Sequence, residues 1–269
     1  MGNSLAESEN EGIRLSIVVP VFNEEKTVGA IIEKLLTVEH LHEIVIVDNA
    51  SVDSSPDIIR RMADEHDVIT TFRMPVNRGK TPAVKAAFAV TTGSIVIVQD
   101  ADLEYDPAEI PDLIYPIVSR NADVVYGSRF MVKRAARVLY FYHYVGNKFL
   151  TFLSNVLTNL NLTDVSTCYK AFRGDIIRNM TIVTGGFGFD FEVTAKMAKL
   201  KCVLYEVPIS YYGRTYEEGK KITYRDGISA FYNIIRFNLF CSLKSSYVEL
   251  PEIKPISTPL LDSQWNETR

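Results

Sequence analysis

Four short runs along the chain, Leu15–Val19, Glu43–Val47, Val68–Phe72 and Ile95–Gln99, are nearly continuous in Ile, Val or other apolar residues. Runs of that length and β-branched character fit strands buried on both faces, where no position alternates towards water. Between them Lys26–Leu36, Ser54–His66 and Thr81–Val90 have helical character. The β-α-β-α-β-α-β alternation predicts an α/β fold, a mostly parallel sheet flanked by helices. A fifth strand is expected over Asp123–Gly127. It follows a helix opened by Pro107, whose fixed φ and missing N–H suit a first helical turn. No internal repeat is visible.

From Ala135 to Leu160 the pattern changes. Val145, Phe149, Phe152, Val156 and Leu160 recur at steps of three or four, which makes one apolar helical face. Such a stripe ordinarily packs on a core. Here it is preceded by Lys133, Arg134 and Arg137 and by the aromatics Tyr140, Phe141, Tyr142 and Tyr144. Basic residues attract anionic headgroups and aromatic rings suit the bilayer interface, so amphipathic helices lying on a membrane are the competing expectation. Ile228–Leu243 is a second strong segment, interrupted by Asn233, Arg236 and Asn238. After Ser245 the composition turns to Pro, Ser and Thr. The expected organisation is a flexible N-terminus over 1–14, one domain over 15–243 and an irregular tail over 244–269. Within the domain, a ligand-binding half over 15–130 precedes a second half over 131–243.

Composition narrows the field without deciding it. The 269 residues, 47% hydrophobic and 23% charged, suffice for one large packed domain. A net charge of -4 argues against a nucleic-acid partner, whose footprint would be basic. Three well-separated cysteines, Cys168, Cys202 and Cys241, fit neither a disulfide framework nor a zinc pattern. A reducing, cytoplasmic location is therefore expected, with peripheral contact at the cytoplasmic face of a membrane. Met1–Gly12 is polar and acidic, unlike a secretory leader, and no apolar run approaches the ~18 residues of a spanning helix.

The candidate chemistry lies where parallel strands end, because ligands of open α/β sheets bind there. The first run ends in Pro20-Val-Phe-Asn-Glu-Glu25, the second in Asp48-Asn-Ala-Ser-Val-Asp53 and the fourth in Asp100-Ala-Asp-Leu-Glu104. One acidic strand end would be a turn or a helix cap; three aligned ones need another reason. If Asp100, Asp102 and Glu104 sit in extended backbone, alternate residues share a face and three carboxylates gather. Their mutual repulsion calls for a cation, and hard oxygen ligands suit Mg2+ or Mn2+.

These segments, with Asn77-Arg-Gly-Lys80, Gly127-Ser-Arg-Phe130, Asp164-Val-Ser-Thr-Cys-Tyr-Lys170 and Gly213-Arg-Thr-Tyr-Glu-Glu-Gly-Lys-Lys221, occur in a telling order. In that order and spacing the sequence resembles the family-2 glycosyltransferases of GT-A fold. It is most similar to dolichol-phosphate-mannose synthases and related polyprenol-phosphate glycosyltransferases. The resemblance covers roughly Leu15 to Phe240. It implies a Rossmann-like nucleotide-sugar domain in which Pro20, Phe22 and Glu24 line the nucleotide pocket and Asp48 accepts from the base. Asp100, Asp102 and Glu104 would hold the metal against the donor diphosphate. Arg129 would lie near a phosphate, and Arg214 and Lys220 on a loop closing over the diphosphate. Two positions depart from the family: Asn49, where a second acid is usual, and Glu104, where Gln is common.

The expected reaction is an inverting transfer of a sugar from a GDP- or UDP-sugar to a polyprenol or dolichol phosphate. Charge builds on the leaving diphosphate, which a divalent cation and converging Arg or Lys groups stabilise. Lys80, beside Gly79 at an expected helix start, is a further candidate. A lipid phosphate oxygen is already ionised and needs no general base. A glycan or glycolipid hydroxyl, the alternative acceptor, would need one, and Asp164, Asp190 and Glu192 are the candidates. A sugar-nucleotide-binding protein without turnover is the alternative from another class.

Overall fold

The computed structural model describes residues 12–131, 137, 140–215, 217 and 224–252. Strands run over Leu15–Val21 (β1), Leu41–Asp48 (β2), Ile69–Arg73 (β3), Ile95–Val98 (β4), Val124–Ser128 (β5), Lys170–Arg173 (β6) and Leu204–Pro208 (β7). Helices run over Val28–Leu35 (α1), Ser55–Glu65 (α2), Lys80–Phe88 (α3), Ile110–Ser119 (α4) and Phe141–Thr158 (α5). Gly174–Asn179 (α6), Phe189–Leu200 (α7), Tyr224–Leu239 (α8) and Leu243–Ser246 (α9) follow. Among these residues the strands form one sheet in the order β3-β2-β1-β4-β6-β5-β7. Only β6 opposes its neighbours, antiparallel to both β4 and β5.

The apolar runs are unbroken because the sheet is covered on both sides. Ile17, Val19, Ile44, Ile46, Ile95 and Ile97 face one core with α1, α2 and α4. Their alternates Val18, Val45, Val47, Val96 and Val98 face the other, with α3, α6 and α7. This is the two-residue period of a strand read on two buried faces. Pro107 does open a helical turn, a 3-10 segment capped by the Asp106 side chain before α4 begins.

Two strands left no apolar signature in the sequence. β6 carries Lys170 and Arg173, both buried and both paired: Lys170 with Asp190 at 2.5 Å, Arg173 with Asp123 at 3.2 Å. β7 pairs in parallel with β5 and is only half-buried. Gly127 of β5 is needed where they meet, since a Cβ there would lie 2.8 Å from Ile209. So the second half of the chain contributes two strands to the same sheet rather than only helices. The tail expected from 244 onward is also partly structured. Ser246 ends α9, and Tyr247 is buried and bridges to Met180. Residues 1–11 and 253–269 lie outside the described residues.

Register places the ligand-facing ends together. β1 and β2 run in parallel with Val21 opposite Asp48, while β4 pairs with the start of β1, and Gln99 N–H donates to Val18 O at 2.9 Å. Each strand then turns sharply through a left-handed residue: Asn23 (φ 54°), Ala50 (φ 61°) and Leu103 (φ 62°). Asn tolerates that conformation, but Ala and Leu are strained in it.

Candidate active site

A cleft of 790 Å³ opens over these strand ends and extends beneath α5 and α8. Pro20, Phe22 and Glu24 from β1 and its loop line one end; Asp100, Asp102 and Glu104 line the floor. Arg129 and Arg214 also reach it, as do Tyr142, His143 and Tyr144 of α5.

The three acids are not arranged as extended backbone would place them. β4 ends at Val98, and residues 101–105 form a turn with Leu103 left-handed, so alternation is lost. Among the described residues no three His, Cys, Asp or Glu side chains converge as a metal-binding group. Glu104 lines the cleft with its carboxylate already engaged, accepting from Tyr211 Oη at 2.7 Å and from the Arg214 N–H at 2.8 Å. Asp102 accepts the Glu104 N–H at 3.1 Å through one oxygen. Burial, and then the charges of Asp100 and Glu104, push the Asp102 carboxyl up to about 7. Asp100 is bonded to the Lys80 ammonium. All three carboxylates line the cleft, but not on one extended face, and Glu104 also holds the loop that carries Arg214.

Among the described residues, three cations expected at the site, Lys80, Arg129 and Arg214, are each matched with a carboxylate. Lys80 meets Asp100, and although burial opposes its charge, that carboxylate holds its pKa above the ordinary lysine value. Arg214 makes a two-point contact with Glu24, at 2.8 and 3.2 Å, and donates to Asp102 O at 2.9 Å. Arg129 forks onto Asp164, both bonds at 2.7 Å, and its backbone N–H adds a third at 3.1 Å. Burial disfavours the Arg129 charge, but Asp164 raises its pKa well above the usual arginine value. Lys220 lies outside the described residues, as do Lys133 and Arg134; Arg137 donates to Gly213 O at 2.8 Å.

Asp48 stands beside the cleft rather than in its lining. One oxygen accepts the Ser51 N–H at 3.0 Å and the other lies 3.3 Å from Arg73 Nε. Its neighbour Asn49, the departure from the family pattern, does line the cleft. Asn49 donates to Asn77 Oδ1 at 2.8 Å and to Gly79 O at 3.1 Å, and accepts the Arg78 N–H at 3.2 Å. An aspartate could not make the two donations. Asp164, Asp190 and Glu192, the candidate bases, each form an ion pair, with Arg129, Lys170 and Lys196 respectively, and of these three Asp190 alone lines the cleft.

Sequence reasoning missed Tyr105, Tyr211 and Ser166, which also line the cleft. Tyr211 had a usable signal, since it sits two residues before the Gly213-Arg214 motif. It stacks with Tyr105, with ring centroids 5.2 Å apart, and lies under the Arg129 guanidinium at the same distance. Ser166 had no such signal.

The stripe on α5 faces outward. Phe149 and Phe152 are 56% and 65% exposed, in line with Phe141, Val145 and Val156, while Leu150, Leu153 and Leu157 pack inward. Leu160, counted with the stripe, also packs on the core. On α8 the pattern repeats: Ala230, Ile234 and Phe237 are buried, whereas Ile228, Phe231, Tyr232 and Leu239 are exposed. No helix of the described residues is long and apolar enough to cross a membrane.

Comparison with known proteins bears on both fold and family. Glucosyl-3-phosphoglycerate synthase of Mycobacterium tuberculosis superposes with a TM-score of 0.65 over 87% of this chain and 83% of its own, at 19% identity. A structure of that enzyme with Mn2+, uridine diphosphate and phosphoglyceric acid gives 0.64 at 18% identity, over 87% of this chain and 81% of its own. At that identity the likeness establishes the fold, and the mostly parallel GT-A sheet expected from the sequence is borne out. An undecaprenyl-phosphate mannosyltransferase of Micrococcus luteus is 28% identical over 77% of this chain and 87% of its own length. A dodecaprenyl-phosphate galacturonate synthase of Rhizobium johnstonii is 26% identical over 64% of this chain. An undecaprenyl-phosphate 4-deoxy-4-formamido-L-arabinose transferase of Yersinia pestis is 30% identical over the same share. The chain spans about half the length of the latter two, 52% and 53%. The profile of the glycosyl transferase family 2 matches residues 16–181, more than half of the chain, and with the strand-end motifs in place the chain belongs to that family.

Proposed function

We propose that this protein transfers a sugar from a nucleoside diphosphate sugar, a GDP- or UDP-sugar, to a polyprenol phosphate-type lipid, with inversion at the anomeric carbon. Residues 15–243 act as the catalytic unit, its first half to residue 130 for the donor and its second for the acceptor. Pro20 and Phe22 wall the nucleoside, with Asn49 at the base end and Asp48 next to it beside the cleft. Asp100 and Asp102 fit a Mg2+ or Mn2+ ion that also takes diphosphate oxygens, since such ions combine one or two carboxylates with phosphate. When bound, the ion neutralises charge on the departing diphosphate. Lys80, Arg214 and, on its loop, Lys220 supply the remaining positive charge, and Arg129 serves the acceptor phosphate.

The observation that carries the choice of acceptor is the engagement of every candidate base. Asp164 is fully buried under Arg129, Asp190 is bonded to a buried Lys170, and Glu192 is held by Lys196 and the 183–184 backbone. A hydroxyl acceptor needs a carboxylate free to take its proton; an ionised phosphate oxygen does not. Tyr142 and Tyr144 of α5 are exposed and line the cleft, and α5 and α8 carry further exposed aromatic and aliphatic residues, so an acceptor whose headgroup lies in a membrane interface can be met there. On this reading the protein is a peripheral enzyme at the cytoplasmic face of a membrane. Similarity to three polyprenyl-phosphate glycosyltransferases supports the same acceptor class. The test is incubation with UDP- and GDP-sugars, Mn2+ and vesicles containing a polyprenol phosphate, followed by mass spectrometry of the lipid fraction. A glycosylated lipid phosphate that disappears with Asp102→Ala is expected. Transfer to a free glycan hydroxyl and none to the lipid would overturn the acceptor assignment, and donor binding without any transfer would make this a sugar-nucleotide-binding protein.

A further inference from the structure

Reading the cleft as a site for a nucleoside diphosphate and a divalent ion leaves open how the two are made to bind together, and the Asn49–Lys80–Asp100 arrangement bears on that. Asp100 and Asp102 leave the sheet side by side, and Asp100 already carries a cation, the Lys80 ammonium. Lys80 is delivered there by a short, tightly specified loop. Gly79, in a left-handed conformation (φ 87°) open to few residues other than glycine, turns the chain into α3. The Asn77 side chain accepts the Gly79 N–H at 2.8 Å. Asn49 reaches across from the end of β2 and fixes three points of that loop, with Thr81 Oγ1 adding a bond to Gly186 O at 2.6 Å. The ammonium is therefore built into the site rather than drifting over it.

We propose that Lys80, positioned by Asn49, is a resident counter-ion of Asp100 that makes divalent-cation and nucleoside-diphosphate binding mutually dependent. A divalent ion arriving alone meets a carboxylate already neutralised and an ammonium that repels it. A diphosphate arriving alone meets Asp100, Asp102 and Glu104. Arriving together they would let Lys80 pair with the diphosphate and Asp100 with the ion, so that neither group loses its partner. Coupling of this kind is reciprocal, so each ligand must raise the affinity for the other by the same factor. It also protects the site from metal bound without donor. This goes beyond assigning Lys80 to phosphate, since it gives the residue a role in the empty site and gives Asn49 a role through Lys80.

Titration calorimetry on the full chain tests it, with MnCl2, UDP and GDP as probes, each titrated with and without the other class. For the wild type the better nucleotide should tighten Mn2+ binding, within the range of about 5- to 150-fold typical of coupled sites. Lys80→Met should bind Mn2+ alone at least about tenfold more tightly than wild type, because a repelling charge is gone. Its coupling factor should fall towards one, while Lys80→Arg keeps most of it. Asn49→Ala, which alters no charge, should shift both quantities the same way by a smaller amount, and it carries the test if Lys80→Met does not fold. Thermal unfolding without ligand checks that the variants are native. Unchanged Mn2+ affinity in folded Lys80→Met, or in Asn49→Ala when that is the only folded variant, overturns the proposal. So does a coupling factor near one in wild type. If neither UDP nor GDP binds the wild type with Mn2+ present, the reading of the cleft itself fails instead.

Discussion

Asp164 offers a sharp separation between a catalytic and an architectural carboxylate. It is fully buried, it accepts both arms of the Arg129 guanidinium at 2.7 Å, and it also takes the Arg129 backbone N–H. Removing one member of a buried pair leaves an uncompensated charge and costs about 3–5 kcal/mol. Asp164→Asn and Arg129→Met should each lose about that much. At ~2–4 °C per kcal/mol for domains near this size, the melting temperature should fall by roughly 6–20 °C. Replacing both, as Arg129→Met with Asp164→Asn, removes both charges and leaves the donors of the new amide unsatisfied, at about 1–3 kcal/mol. The double variant should therefore be more stable than either single one, with a coupling energy of at least ~3 kcal/mol. Urea unfolding followed by circular dichroism reads all four corners of the cycle. If Asp164→Asn melts like wild type yet has lost transfer, Asp164 is a base and the architectural reading is wrong. Additive losses would likewise refute it.

Three further outcomes follow from the same geometry. Ala50 sits at φ 61°, so Ala50→Gly should stabilise the fold in urea by about 0.5–1 kcal/mol, the ~1–2 kcal/mol of left-handed strain less the entropy of glycine; a loss of stability would refute the strain. Asp102 titrates near 7 when folded and near ~3.9 when unfolded, so the ion-free protein gains a proton and stability as pH falls through that window. Mn2+ needs the carboxylate and should release a fraction of a proton at neutral pH, so its heat of binding should depend on buffer ionisation enthalpy; no such dependence would count against the site. Phe149→Ser with Phe152→Ser should leave stability within ~0.5 kcal/mol, because both rings are exposed, yet abolish flotation with anionic vesicles containing a polyprenol phosphate. Flotation equal to wild type would mean that this face does not meet the membrane.

The nucleotide half was legible in the sequence because its signals are redundant. Each early strand is buried on both faces and ends in polar residues, so period, composition and turn chemistry agree. The second half mixes signals that cancel. β6 is four residues long and begins and ends with a buried cation, Lys170 and Arg173, whose partners Asp190 and Asp123 lie 20 and 50 positions away. Hydropathy scores such a strand as surface. The geometry of the acidic triplet was hidden for a different reason. Spacing alone placed Asp100, Asp102 and Glu104 on one extended face, whereas the left-handed turn at Leu103 breaks that alternation and leaves Glu104 bonded to Tyr211. Asn49 looked like a lost acid until its amide was seen to hold the 77–80 loop, a pairing that sequence separation hides.

The helix α5 shows where periodicity stops being informative. A stripe at steps of three and four establishes a helix and one apolar side, but it carries no statement of what that side faces. α5 has two such sides. Leu150, Leu153 and Leu157, with the buried Thr151 and Ser154 between them, turn to the core. The larger residues Phe141, Phe149 and Phe152 turn away. A helix packed only on a core would place its bulk inward, where burial of a phenylalanine stabilises most. Here that assignment is inverted; α8, which packs against α5, buries Phe237 but likewise leaves Phe231 and Tyr232 outside. Two adjacent helices that both keep large apolar groups in water incur a cost that a water-soluble acceptor would not require. The proposed lipid acceptor would account for it, since residues of both helices line the cleft and their outer faces would meet the interface where a lipid phosphate lies.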